Sequence, residues 1–286
     1  MINFLKYRWL YLLVSTVVIG AGISSMVVWG FRYSIDFAGG TNLEYEINKN
    51  IDQKQAGNIL KENKVEVLTV QVNKNKLIIR SKTFDEKKEL EIRKDLDSKL
   101  KAKTTLLRFE TVGPVIGKET IRKTLIASLI AMVGILLYMS FAFKSFYFAA
   151  SAILALIHDI LVVVGTYSLL SHFFGAEVDL LFVTALLTTM SFSVHDTIVI
   201  FDKIREYGTA DKSEIENYAN KALTETLIRS LNNSMTIIFM LLALILLGGS
   251  TIRFFIIALL TGTITGTYSS PFVATPILVW LLKRKK

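Results

Sequence analysis

Six stretches of this sequence run for twenty residues or more with no charge or almost none: Trp9 to Phe31, Thr124 to Phe143, Ser145 to Gly175, Leu180 to Phe201, Ser230 to Thr251 and Phe254 to Leu282. A helix rises about 1.5 Å per residue, so roughly 20 apolar residues cross the roughly 30 Å of hydrocarbon in a bilayer. Buried helices of soluble proteins are shorter and keep a polar stripe. The pattern predicts an α-helical polytopic membrane protein with six transmembrane helices. Composition agrees, since 52% hydrophobic residues, 20% charged residues and a mean hydropathy of +0.47 are more apolar than one aqueous core needs. Lys6 and Arg8 before the first run raise the alternative of a signal peptide. Its 23 residues exceed the usual apolar core of roughly 7 to 15, so an uncleaved signal anchor is expected. The absence of cysteine excludes disulfide scaffolds, thiolate zinc sites and cysteine nucleophiles.

The charge is concentrated elsewhere. Between Arg32 and Lys118 lie 18 Lys/Arg and 13 Asp/Glu, more than half of all the charged residues. Short loops set orientation. Lys6, Arg8, Lys144 and the tail Lys283 to Lys286 mark the cytoplasmic side, whereas the connection from Ser171 to Asp179 has no basic residue. Both termini are then cytoplasmic, the block 32–118 is exported, and the loop 202–228 is cytoplasmic. The expected organisation is a stub and first helix over 1–31, the exported domain over 32–118, and five further helices over 119–286.

Within the exported block, Thr41 to Ile47, Glu66 to Val72, Lys76 to Ser81 and Thr105 to Val112 alternate as strands. Asp52 to Lys64 reads as a helix with Ala56, Ile59 and Leu60 on one face. Phe84 to Lys101 reads as a second, amphipathic through Leu90, the Arg93 stem, Leu96 and Leu100. Asn73 to Asn75 is a turn cluster. The order is βαββαβ, the ferredoxin-like split βαβ arrangement. Only Tyr45 and Phe109 are aromatic within the strands, so a nucleic-acid partner is not expected. Gly113 to Glu119 is one residue short for a phosphate loop and has Glu where magnesium needs Ser or Thr. No cofactor or metal is expected.

Ionisable groups inside a membrane cost about 2.5 to 3.5 kcal/mol each at a helix centre and mark functional sites by default. Asp159 falls mid-way along the third run and Asp196 in the inner half of the fourth, each preceded by a histidine, His158 and His195. Asp196 continues a stripe with Thr189 and Ser193, and Arg229, Asn233 and Thr236 form a matching one on the fifth run, with Asn232 beside them. By residue count Asp196 lies roughly 9 Å inside the cytoplasmic boundary and Asp159 roughly 20 Å, too far apart to pair directly. Arg229 is expected to reach Asp196, either as a switchable pair or as a static salt bridge. Asp159 either bonds a neighbouring helix or carries protons. Gly262, Gly266 and Ser270 form a close-packing face on the sixth run. Downstream of the fourth run, Asp211 and Glu214 have capping-box spacing before an amphipathic helix through Ile215, Tyr218, Ala219 and Ala222, expected to lie on the inner membrane surface.

These segments resemble the SecF family of protein-export membrane subunits, a branch of the resistance-nodulation-division superfamily. The resemblance covers essentially the whole chain. Asp36-Phe37-Ala38-Gly39-Gly40 matches the family's Asp-Phe-x-Gly-Gly signature, Val112-Gly113-Pro114 with Gly117 is similar to its exit from the exported domain, and His158-Asp159 is similar to its third-span pair. The most specific match is Ser193-Val-His-Asp196-Thr-Ile-Val-Ile-Phe-Asp202-Lys-Ile-Arg205-Glu206, where His195 replaces the family's asparagine. That exchange either adds a titratable group or is a silent polar swap.

The resemblance implies a non-enzymatic auxiliary subunit of the bacterial Sec translocase in the cytoplasmic membrane. Such subunits pair with SecD, act with the SecYEG channel, often alongside YajC, and promote export of unfolded polypeptide at the expense of the proton-motive force. It also implies that Asp196 is the family's essential fourth-span aspartate and Arg229 its partner. The alternatives are a structural scaffold subunit and a small-molecule efflux transporter of the same superfamily. The latter has little room for a substrate pocket in about 87 exported residues.

Overall fold

Each charge-free run is helical over most of its length; the helix of the first ends at Val28 and that of the fifth at Leu247, while the last run stays helical through Pro271 and Pro276. The computed structural model describes residues 3–49, 51–73, 75–208 and 213–284. In chain order the elements are α1 (Arg8–Val28), β1 (Arg32–Tyr33), α2 (Ile35–Ala38), β2 (Gly40–Ile47), α3 (Gln53–Glu62), β3 (Val67–Asn73), β4 (Lys76–Ser81), α4 (Glu86–Leu100), β5 (Thr104–Val112), α5 (Pro114–Phe143), α6 (Phe146–Phe174), β6 (Glu177–Val178), α7 (Leu180–Tyr207), α8 (Ile215–Leu247), α9 (Arg253–Ser269) and α10 (Thr275–Arg284). Six helical segments are long and apolar enough to span a membrane: Phe4–Val28, α5, α6, α7, α8 and the continuous rod Arg253–Arg284. The chain divides into two compact units, residues 33–125, and residues 1–32 with 126–286.

In the unit 33–125 the strands pair antiparallel in the order β3-β4-β2-β5. Alternation puts Leu43, Tyr45 and Ile47 of β2 and Leu77 and Ile79 of β4 on one buried face, which α3 covers with Ala56, Ile59 and Leu60 and α4 with Ile92, Leu96 and Leu100. Asp52 and Asp85 cap the two helices, their carboxylates accepting from the backbone N–H of Lys54 at 3.3 Å and Lys88 at 3.0 Å. The inward face of α4 differs from the sequence expectation. Leu90 is 46% exposed, and the helix buries Glu89 and Ile92 ahead of Leu96 and Leu100. Helical spacing counted back from Leu96 reaches these positions. Glu89 is tolerated because the Tyr45 hydroxyl donates to it at 3.0 Å and Arg93 at 3.3 Å. Burial, and then the adjacent Glu89 charge, push the Tyr45 hydroxyl above the ordinary tyrosine range.

The glycine pair closing α2 has a geometric cause. Gly39 has φ +73°, and a Cβ there would lie 2.8 Å from the Cα of Pro114, while a Cβ on Gly40 (φ +127°) would lie 2.7 Å from the Ser81 carbonyl oxygen. On the α5 side, a Cβ on Gly117 would meet the Phe37 carbonyl oxygen at 2.7 Å. The segments leading into and out of the sheet thus cross at van der Waals contact, which only glycine permits.

In the helical unit α6, α7 and the α9 rod are the most buried spans, while α1, α5 and α8 lie outside them. Small residues set the crossings. A Cβ on Gly165 of α6 would lie 2.6 Å from the Cα of Gly22 on α1, and Gly262 and Gly266 of α9 are pressed against Thr189 and Ser193 of α7. Between α9 and α10, Ser270–Ala274 form a π-helical stretch, a feature that re-aims side chains without ending the rod. One apolar cluster gathers Phe143, Phe148, Phe201, Ile204, Leu223 and Leu278. A second gathers Val163, Tyr167, Phe182, Ala185 and Ala258. The turns of α6 and α7 between them carry buried polar residues.

The stretch 202–228 is not one loop. The helix α7 continues to Tyr207, and α8 runs unbroken for 33 residues from Ile215, because no glycine or proline interrupts it. Ile215, Ala219 and Ala222 pack with Leu223 into the bundle core, so this amphipathic turn covers the bundle end. Asp211 of the expected capping box lies outside the described residues, as do position 74 of the turn cluster and Lys285 and Lys286 of the tail.

Candidate functional site: a polar layer inside the helix bundle

Asp159 is the hub of this layer and is 5% exposed. One carboxylate oxygen accepts from the Ser193 hydroxyl of α7 at 2.5 Å and from the Ser269 hydroxyl beside the π-helical stretch at 2.6 Å. The other lies 2.8 Å from Nδ1 of His158, whose Nε2 lies 2.9 Å from the Ser15 hydroxyl of α1. Ser15 is 3.4 Å from the Tyr268 hydroxyl, which donates to the Tyr11 carbonyl at 2.9 Å. One carboxylate therefore ties four spans together. Further along α6, Ser25 and Ser168 are hydrogen-bonded at 2.8 Å, and Ser168 donates to the Gly30 carbonyl.

Three residues along α7 from Ser193, Asp196 is buried, 6% exposed, with the Ser230 hydroxyl of α8 as its hydrogen-bonding neighbour. His195 and Asp196 line a cavity between α7, α8 and α9 with Asn233, Ser234, Thr263 and Thr267. Its volume is ≈ 10 Å³, about one water molecule. The other face of α7 is closed, since Thr197 and Ser270 share a hydrogen bond at 2.9 Å and Gly266 abuts Ser193.

The expected stripe Thr189, Ser193, Asp196 is buried as a set. Its expected counterpart on α8 is displaced by one residue. Thr226, Ser230 and Ser234 face inward, whereas Arg229, Asn232, Asn233 and Thr236 are exposed, with Asn233 at the cavity margin. Among the described residues Arg229 forms no ion pair with Asp196, because the inward position at this level belongs to Ser230. Asp159 and Asp196, expected to be too far apart to pair directly, are linked along α7, where Ser193 donates to Asp159 three residues before Asp196. His195 is exposed and lines the cavity. The signature residues Asp36, Phe37, Gly39 and Gly40 belong to the other compact unit, where Phe37 is buried. Sequence reasoning missed Ser15, Ser230, Ser269 and Tyr268. The spacing of Ser15, Gly22 and Ser25 on α1 was the available signal for the first. Ser269 carried none, since its aim toward Asp159 depends on the π-helical stretch that follows it.

At the bundle end that carries the N-terminus, Glu216 of α8 pairs with Arg8 at 3.2 Å and Lys283 at 2.9 Å. The start of α1, the start of α8 and the end of α10 therefore lie on one side.

Residues 92–284 match the family described as protein export membrane protein SecD/SecF, C-terminal, and residues 25–51 match the SecD/SecF GG motif. A protein translocase subunit SecF from Anaerolinea thermophila is 39% identical over 98% of this chain and 94% of its own length. A protein translocase subunit SecDF from Thermus thermophilus is 35% identical over 93% of this chain and 37% of its own. The crystal structure of SecDF from that organism, described as a translocon-associated membrane protein, superposes with a TM-score of 0.83 at 31% identity, covering 99% of this chain and 39% of the solved one.

Proposed function

Because this chain belongs to the SecD/SecF family of protein-export membrane proteins, as a multi-pass translocase subunit of the SecF kind, we propose that it couples the proton-motive force to polypeptide export through Asp196. The observation that carries the proposal is a carboxylate 6% exposed, beside a water-sized polar cavity at the junction of α7, α8 and α9, with no cation bound to it among the described residues. An ion moving across 100 mV releases about 2.3 kcal/mol, within the roughly 1 to 3 kcal/mol of typical coupling between distant sites. Arg229 adjoins Ser230 about 100° around α8, so a rotation of α8 combined with the reach of its long side chain would replace Ser230 at a deprotonated Asp196. Protonation then releases it, giving two arrangements of α8 against α7.

Movement in the bundle reaches the unit 33–125 through α1 and α5. We assign this unit to the ferredoxin-like class on its strand order β3-β4-β2-β5 and place it on the exported side of the bacterial cytoplasmic membrane. Both termini are cytoplasmic in this reading, which the Arg8, Glu216 and Lys283 cluster supports by putting both ends of the bundle chain on one side. SecD is the partner, since the matched Thermus thermophilus chain contains both parts fused. SecYEG and unfolded exported polypeptide are the further partners, with YajC as an accessory; the subunit itself catalyses no covalent chemistry.

The test replaces Asp196 with Asn in a complex assembled with SecD and follows late translocation into membrane vesicles with and without a proton gradient. The gradient-dependent increment should vanish while assembly is retained. Survival of that increment at the wild-type rate rules out the relay.

A further inference from the structure

The chain of contacts through Asp159 has a proton count. It comprises six contacts: Ser193 to Asp159, Ser269 to Asp159, Asp159 to His158, His158 to Ser15, Ser15 to Tyr268, and Tyr268 to the Tyr11 carbonyl. A hydrogen bond needs one proton, and the four hydroxyls of Ser193, Ser269, Ser15 and Tyr268 supply four. An ionised Asp159 with a neutral His158 adds one more, which leaves one contact without a proton. Two protons shared by His158 and Asp159 fill all six and make the pair electrically neutral. Neutrality matters because both side chains are buried, 7% and 5% exposed, and a net charge at this depth is costly. The one long contact, 3.4 Å between Ser15 and Tyr268, is the one that loses its proton when the pair holds only one.

We propose that His158 and Asp159 form a proton-binding site distinct from Asp196, and that its occupancy sets the contact between Ser15 on α1 and Tyr268 on α9. In the two-proton state Nε2 of His158 donates to Ser15, and Ser15 donates to Tyr268. When Nε2 releases its proton to water, Nδ1 still donates to Asp159. The Ser15 hydroxyl turns to donate to Nε2, and Ser15 and Tyr268 are left with no proton between them. No atom or electron is otherwise exchanged. The groups facing the pair from neighbouring elements are Ser15 of α1, Ser193 of α7, and Ser269 and Tyr268 of α9, whereas His195 and Asp196 of α7 line the cavity toward α8. No lysine or arginine lies within ion-pair distance among the described residues. One of the several bonds that hold α1 to the bundle is thereby made or removed by a single proton.

The chain has three histidines, so replacing His172 with Gln and His195 with Asn leaves His158 as a single probe. The full chain, labelled with nitrogen-15 in its imidazole, is reconstituted in lipid bilayers and read by magnetic resonance across a pH series. Two protonated ring nitrogens are expected at acid pH and one, at Nδ1, at alkaline pH. Tyr268→Phe keeps the ring and removes the last acceptor, and should lower the proton affinity roughly two- to tenfold, the worth of one hydrogen bond. Asp159→Asn should abolish the two-proton state over most of the range. A histidine signal fixed in either state across the series, or a titration unmoved by both substitutions, overturns the proposal. Asp196→Asn should preserve the two-state signal, so this reading and the Asp196 relay fail separately.

Discussion

Replacing Gly165 with alanine probes how firmly the first span is held to the bundle. The new methyl would lie 2.6 Å from the Cα of Gly22, whereas carbon atoms rest at about 3.5 to 4.0 Å. Backbone lies on both sides, so no side chain can turn away, and α1 and α6 have to part by about 1 Å. The hydrogen bonds flanking the crossing, Ser25 to Ser168 at 2.8 Å and Ser15 to His158 at 2.9 Å, then stretch beyond useful length. Overpacking costs about 1 to 3 kcal/mol, and each interhelical hydrogen bond in a membrane about 0.6 kcal/mol, so a loss of about 2 to 4 kcal/mol follows. Equilibrium unfolding of the purified chain in mixed micelles measures it, with hydrogen exchange reporting on α1. Gly134→Ala on α5 is the control, since nothing lies within 4 Å of its added Cβ. If Gly165→Ala is as stable as that control and α1 exchanges no faster, the crossing does not hold the span.

Gly262→Ala puts a methyl 2.1 Å from Cγ2 of Thr189; a loss of about 1 to 3 kcal/mol is expected, recovered in part by Thr189→Ala in the same unfolding assay. Gly39→Ala combines φ +73° with a 2.8 Å approach to Pro114, and should loosen the crossing of the sheet's two connections, seen as faster proteolysis between α2 and β2. For Tyr45, the folded state retains a hydroxyl proton that the unfolded chain loses above the ordinary value of 10.0. Stability from this residue is therefore complete below that pH and falls as pH rises above it. Urea unfolding of the unit 33–125 within the full chain should show this alkaline loss, and Tyr45→Phe should flatten it.

Much of the architecture was legible because lipid makes a harsh demand on sequence. Charge-free runs located all six spans, and period-two alternation located β2, β3, β4 and β5. What escaped were choices between neighbouring residues on one helix. Ser230 takes the inward position on α8 and Arg229 does not, a difference of about 100° around a helix. That rotation is decided by tertiary packing of Thr226, Ser234 and Leu241, not by local pattern. On α4, Glu89 faces inward because Tyr45 and Arg93 satisfy it, a cross-element arrangement that periodicity alone does not reveal. Asp159 was recognised as out of place in lipid, yet its partners come from α1, α7 and α9, far apart in the chain. The bounds of the expected loop 202–228 were too wide, since α7 runs on to Tyr207 and α8 starts at Ile215, and polarity alone does not mark where a helix stops.

Proton movement itself bears most directly on the account. The complex with SecD is reconstituted into liposomes, a pH gradient is imposed during translocation of a polypeptide, and internal pH is followed with a trapped dye. The account predicts a translocation-dependent proton flux that Asp196→Asn abolishes in a fully assembled complex. Equal flux in wild type and Asp196→Asn would contradict it.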